Sequence, residues 1–113
     1  MKHDIQIKEN TVLLDNKAIY ISDFKVLAFL NIAPFVILVL DLKNTVNVNQ
    51  NTICIDINGN HIWTIESKLY HQKDCPANSI YIEKGKYLIY RWCGIEEEID
   101  IRTGKIFNGL LIK

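Results

Sequence analysis

At 113 residues, 49% hydrophobic and 23% charged, the chain has enough apolar content for one core and too little charge to be a disordered polyelectrolyte. Thirteen basic residues balance thirteen acidic ones, which excludes bulk attraction to nucleic acid or an anionic membrane. The longest apolar stretch, Ala33–Leu40, is far short of the roughly 20 residues that span a bilayer, and no apolar run follows Met1-Lys2-His3-Asp4-Ile5 as a secretory signal requires.

Isoleucine dominates, supported by Val, Tyr and Thr, residues that fit half-buried strands better than helices. Taken in chain order, strands are expected at 4–8, 11–15, 18–21, 24–30, 35–42, 52–57, 61–66, 79–83, 87–92, 95–101 and 105–112. Alternation supports them at Ile5-Gln6-Ile7, at Ile53-Cys54-Ile55-Asp56-Ile57 and at Ile99-Asp100-Ile101. One segment has two readings. Ser22 can cap a helix over 22–31, and Phe24, Leu27 and Leu30 have near-helical spacing; the same residues also make a strand. Ala33–Leu40 is apolar on both faces and predicts a central strand buried on both sides. Asn58-Gly59 and Thr103-Gly104 read as two-residue hairpin turns, and Lys84-Gly85 and Cys93-Gly94 as breaks between strands.

A nine-residue phrase occurs three times, about 43–44 residues apart: V-L-L-D-N-K-A-I-Y at Val12–Tyr20, I-D-I-N-G-N-H-I-W at Ile55–Trp63 and I-D-I-R-T-G-K-I-F at Ile99–Phe107. Each is strand, tight turn, strand, at the period of a propeller blade. The fold expected is all-β, in one domain spanning 1–113: a partial unit at 1–21 and two four-stranded antiparallel blade-like sheets at 24–66 and 79–112, arranged as a half-propeller or a sandwich. Trp63 and Phe107, at equal repeat positions, are expected as core anchors between sheets. Two longer polar links, Lys43–Asn51 and Ser67–Asn78, are of the length that is usually functional or mobile.

The segments I-C-I-D-I-N-G-N-H-I-W and Y-L-I-Y-R-W-C-G-I-E-E-E-I-D-I-R-T-G-K-I resemble blades of quinoprotein-type (PQQ-like) β-propellers. The resemblance covers roughly residues 51–66 and 79–108. It implies blade architecture. The dehydrogenases of that family hold their cofactor in the funnel of a closed ring, and a ring needs about 40–45 residues for each of at least four blades. Neither a cofactor nor a catalytic residue is therefore carried over. By type alone, without a shared motif, the chain also resembles the immunity proteins of bacterial toxin systems, including contact-dependent growth inhibition.

The strongest charge feature is Glu96-Glu97-Glu98 with Asp100. On a strand, Glu96, Glu98 and Asp100 share one face and Ile95, Glu97 and Ile99 the other. The row is a plain solvent-facing strand, a docking stripe for a basic partner or, with no nucleophile or sugar-binding groove implied nearby, a carboxylate pair for acid/base catalysis. Glu97 falls on the apolar face, where it either pairs with Arg91 or Lys86 or sits at the sheet end; the sheet end is expected. Cys54, Cys75 and Cys93 are odd in number and widely spaced, which reads as three reduced thiols in a cytosolic protein. His71, Asp74 and Cys75 make one loose ligand set where zinc sites normally show two, so no metal is expected. No phosphate-loop or dinucleotide fingerprint is present.

These observations lead to a non-catalytic, cytoplasmic protein-binding domain without cofactor, metal or nucleic-acid partner. Its expected partner is a cognate toxin with a basic surface, a nuclease for example. The residues expected to meet it are Glu96, Glu98, Asp100, Trp92, Asn47 and Asn49. The alternatives are a small ligand-binding or enzymatic domain with its site between the sheets, and a module that self-associates through open sheet edges.

Overall fold

A computed structural model describes residues 4–43, 47–68 and 74–111. Eleven strands run in chain order: β1 (Ile5–Lys8), β2 (Thr11–Leu14), β3 (Lys17–Ile21), β4 (Val26–Ile32), β5 (Phe35–Leu40), β6 (Thr52–Asp56), β7 (His61–Thr64), β8 (Ala77–Glu83), β9 (Lys86–Arg91), β10 (Ile95–Ile99) and β11 (Ile106–Leu111). They form three antiparallel meanders: β1-β2-β3, β4-β5-β6-β7 and β8-β9-β10-β11. The partial unit and the two four-stranded units expected from the repeats are these three sheets.

The sheets stack face to face over two cores. Val12, Val36, Leu38 and Ile55 lie between the first and second sheets. Ile37, Val39, Cys54, Ile89 and Ile99 lie between the second and third. Strand β5 feeds both cores, because successive side chains point to opposite faces, and residues 36–40 are all buried. An apolar run with no polar alternation is what such a position demands.

The segment with two readings is strand β4. Ser22 does catch the backbone two residues on, its Oγ accepting from the Phe24 N–H at 2.9 Å, but the chain then opens into extended backbone. Along β4, Ala28, Leu30 and Ile32 pack against the core with the third sheet. Leu27 and Phe29 remain exposed. Apolar residues on both faces of a strand imitate helical spacing.

Two expectations about turns are corrected. Asn58-Gly59 is part of a three-residue turn closed by the Asp56 N–H on the Asn60 carbonyl, and only Gly59 there has positive φ. The copy around Thr103-Gly104 is one residue longer still, closed by the Asp100 N–H on the Lys105 carbonyl. Among the described residues, the two-residue turns in which both residues take positive φ are Asp15-Asn16 and Lys84-Gly85.

Growth of the turn by one residue per copy also shifts the aromatic positions. Opposite Val12 stands Tyr20, and opposite Cys54 stands Trp63, but opposite Glu98 stands Asn108. Trp63 is a core residue at 6% exposure, whereas Phe107 is 65% exposed. The expectation that Phe107 anchors the core fails for two reasons. The longer turn displaces it into the β10–β11 irregularity, and among the described residues no further sheet covers the third one.

Turns of one sheet dock on strands of the sheet before. A Cβ on Gly59 would meet the Ile19 carbonyl oxygen at 1.9 Å, and one on Gly104 would meet the Trp63 ring at 2.4 Å. The Trp63 Nε1–H donates to the Ile101 carbonyl at 2.8 Å in the same junction. Nearby, Glu66 Oε1 accepts from the Ile106 N–H at 2.7 Å, and Lys68 Nζ lies 3.1 Å from the same oxygen. The Ile106 hydrogen bond first, and the Lys68 ammonium with it, hold the Glu66 carboxyl below its usual range. This depressed pKa stabilises the fold above the ordinary carboxylate range and the effect fades as pH falls through it.

Candidate functional site

At one end of the seam between the second and third sheets, strand ends and both long links converge on a groove of about 300 Å³. Leu27, Leu40, Leu42, Val48, Pro76 and Trp92 give it apolar walls, with Asp41 and Lys43 beside them. Trp92, just beyond β9, is 74% exposed. Its backbone is fixed, the Trp92 N–H donating to the Pro76 carbonyl at 2.8 Å.

The groove stands on a buried polar network. Asn51, 1% exposed, donates through Nδ2 to the carbonyls of Leu40 and Ala77, at 2.8 and 2.7 Å, and accepts from the Ala77 N–H at 2.8 Å. One amide side chain thus joins the end of β5 to the start of β8. Arg91, fully buried, donates through Nη1 to the carbonyls of Asn49 and Cys75 at 2.8 and 2.9 Å. Its Nε lies 2.5 Å from Glu97 Oε1, which is equally buried. The expectation that Glu97 sits at the sheet end is corrected: it forms a buried pair with Arg91, one step diagonally across β9 and β10. A buried carboxylate needs such a counter-charge.

The cysteine expectation is corrected as well. Cys75 and Cys93 form a disulfide, with their Cα atoms 5.2 Å apart, and Cys54 alone is free. The β8–β9 pairing brings together residues 18 apart in sequence, and the odd cysteine is a core residue of β6. Burial first, and the Asp56 carboxylate with it, push the Cys54 thiol up to about 12. Native protein is expected to leave Cys54 unalkylated, and denatured, unreduced protein to titrate one thiol per chain; three would show the pair open. Reduction is expected to lower unfolding free energy by about 3 kcal/mol, the loop-closure value for a crosslink of this span, measured by urea denaturation.

The remaining expected site residues divide by the work they already do. Asn49 accepts the Cys75 N–H on its Oδ1 at 2.6 Å and the Arg91 guanidinium on its carbonyl, so it belongs to the network. Asn47 is exposed at the start of the 3₁₀ turn Val48–Gln50. Glu96 and Glu98 share the outer face of the third sheet, and the Tyr81 hydroxyl donates to Glu96. Asp100 caps its turn, Oδ1 accepting from the Arg102 N–H at 2.8 Å, just as Asp56 does for Asn58 and Asn60. His71 lies outside the described residues. Among the described residues no group of three His, Cys, Asp or Glu side chains is placed to hold a metal, and no helix is long and apolar enough to cross a membrane.

By register, Glu96 and Glu98 occupy the positions that Thr52 and Cys54 hold one sheet earlier. There the third sheet covers them; here, among the described residues, no further sheet does, and carboxylates replace buried residues. Carboxylates suit a repeat face that meets water instead of another sheet. Glu96 pairs in register with Tyr90, and Trp92 lies two residues beyond Tyr90 at the end of the sheet where the groove opens.

The architecture is therefore that of an open, blade-built all-β domain with a propeller-like fold. The chain belongs to the family described as a domain of unknown function, DUF7957, whose model matches residues 2–110. None of the curated proteins matches the sequence. Among solved structures it is similar to BamB from Moraxella catarrhalis, with a TM-score of 0.60 and 10% identity over 95% of this chain and 34% of that one. The computationally designed Ika8 protein aligns with a TM-score of 0.45 and 13% identity over 96% of this chain and 48% of that one. The chain thus spans about a third and about half of these two.

Proposed function

We propose that the chain is a non-catalytic protein-binding module that meets a basic partner with Trp92, the groove beside it and the Glu96–Glu98 row. Exposed Trp92 carries the reading: a tryptophan on a fixed backbone at the edge of an apolar groove is the side chain most often found to dominate an interface. The carboxylates beside it would steer a cationic surface into register and raise the association rate. The most specific form of the proposal is an immunity protein that covers the cationic active site of a cognate bacterial toxin in the cytoplasm. The disulfide pulls against a cytosolic setting, since such bridges persist where the surroundings are oxidising. Alkylation of the protein inside cells, followed by mass spectrometry, distinguishes the two settings.

The test is co-expression with the product of the neighbouring reading frame and purification through a tag on this chain alone. A one-to-one complex is expected, with growth arrest when this chain is omitted. In that complex Glu98→Lys should slow association about tenfold at low salt and much less at high salt. Trp92→Ala should weaken binding by about 2 kcal/mol or more, mostly through faster dissociation. Absence of both complex and arrest would remove the immunity reading, and full affinity in Trp92→Ala would remove this surface.

A further inference from the structure

Among the described residues the first sheet has one strand fewer than the other two. The repeated hairpins align β2-β3 with β6-β7 and β10-β11, so β1 corresponds to β5 and β9. In the second and third sheets a further strand, β4 or β8, pairs antiparallel with that position. Among the described residues no strand does so for β1. Among the described residues, no backbone hydrogen bond from outside the first sheet reaches Ile5–Lys8. An edge strand of this kind presents a row of unpaired N–H and C=O groups.

A second observation places the vacancy between two surfaces. Phe29 pairs in register with Leu38, whose side chain belongs to the core with the first sheet, so Phe29 faces the first sheet too. It is 38% exposed at the middle of β4. On the opposite face of β4, Leu30 is packed into the core with the third sheet, and β8 lies against β4. The counterpart of β8 is what Phe29 lacks. The Val26 N–H on the Glu9 carbonyl, at 2.9 Å, fixes the start of β4 beside the end of β1, so free edge and uncovered ring border one notch.

We propose that this notch binds an extended segment of another protein by strand addition. The segment would run antiparallel to β1, as β4 runs to β5 and β8 to β9. Main-chain hydrogen bonds to Ile5–Lys8 supply affinity, and alternate apolar side chains turned toward Phe29 supply specificity. Strands β4 and β8, seven residues each, set the scale of the segment. Each is the last strand of its sheet, so the notch takes one strand, whereas a second copy of this chain would bring three abreast. This surface is distinct from Trp92 and the acidic row, so either proposal can fail without the other.

The test is selection of binders to the full chain from a random peptide library, followed by hydrogen exchange of the complex with the selected peptide. Expected are peptides with alternating apolar residues that protect the amides of Ile5–Lys8. Phe29→Lys should weaken them about tenfold or more, as loss of an anchor contact does, and Phe107→Lys should leave them unchanged. Light scattering should give a monomer across the concentrations used. A dimer with those amides protected would assign the edge to a second copy and overturn the proposal. So would a library yielding no binder, or binders insensitive to Phe29→Lys.

Discussion

Glu97→Leu is expected to lower the unfolding free energy by about 3–5 kcal/mol, because it strands the Arg91 charge with no counter-ion in a site closed to water. Domains of this size have about 5–15 kcal/mol in all, so the variant should sit near the edge of folding at room temperature. Arg91→Met should cost as much, since it strands Glu97 and also removes the donors to the Asn49 and Cys75 carbonyls. The double variant Arg91→Met with Glu97→Leu should recover most of the loss, leaving about 1–2 kcal/mol for the two carbonyls. Urea denaturation of the four proteins measures the coupling. Additive single losses would mean that water or another group already satisfies the charges.

The second large effect is expected at the glycines of the docking turns. Gly59, Gly85 and Gly104 all have φ between +76 and +83, so alanine at any of them costs about 1–2 kcal/mol of backbone strain. At Gly85 nothing lies within 4 Å of the added methyl group, and that strain is the whole effect. At Gly104 the methyl meets the Trp63 ring, which can move only by giving up its hydrogen bond to Ile101. At Gly59 it meets the Ile19 backbone, which has no rotamer to retreat to, and the first and second sheets must part. The expected order of destabilisation is Gly59→Ala, then Gly104→Ala, then Gly85→Ala, with the first two about 2 kcal/mol or more beyond the third. For a domain of about 100 residues that separates melting temperatures by roughly 10 °C, which calorimetry resolves. Equal losses at all three would mean that the turns touch their neighbours without holding them.

The sheets were legible in the sequence because period-two alternation and the repeated hairpin are local. The run Phe35–Leu40 announced its two-sided burial through the absence of any polar residue. What stayed hidden depends on how sheets meet. The pairing of Glu97 with Arg91 follows from a diagonal across two strands, and the apolar face alone left two outcomes open. The cysteine bridge was masked by parity, since Cys54 is a core residue that happens to carry sulfur. The displacement of Phe107 comes from one extra turn residue, which an ungapped repeat alignment absorbs silently. Asn51 gave no signal: a lone asparagine ending a polar link looks like every other asparagine there, and only the fold shows it holding β5 to β8. A mismatch between a repeat and its neighbours, carboxylates where Thr52 and Cys54 stand one copy earlier, was the readable sign that this face of the third sheet differs from that of the second.

Strand β5 has one further consequence. Phe-Val-Ile-Leu-Val-Leu contains no charge, no proline and no glycine, the composition from which cross-β fibrils are built. In the folded chain both of its faces and both of its edges are occupied, by β4, β6 and the sheets on either side. The small first sheet is therefore more than the residue of an incomplete blade. It is the cover over one side of a segment with the composition of cross-β formers, and variants that loosen that sheet are expected to aggregate faster than the native chain.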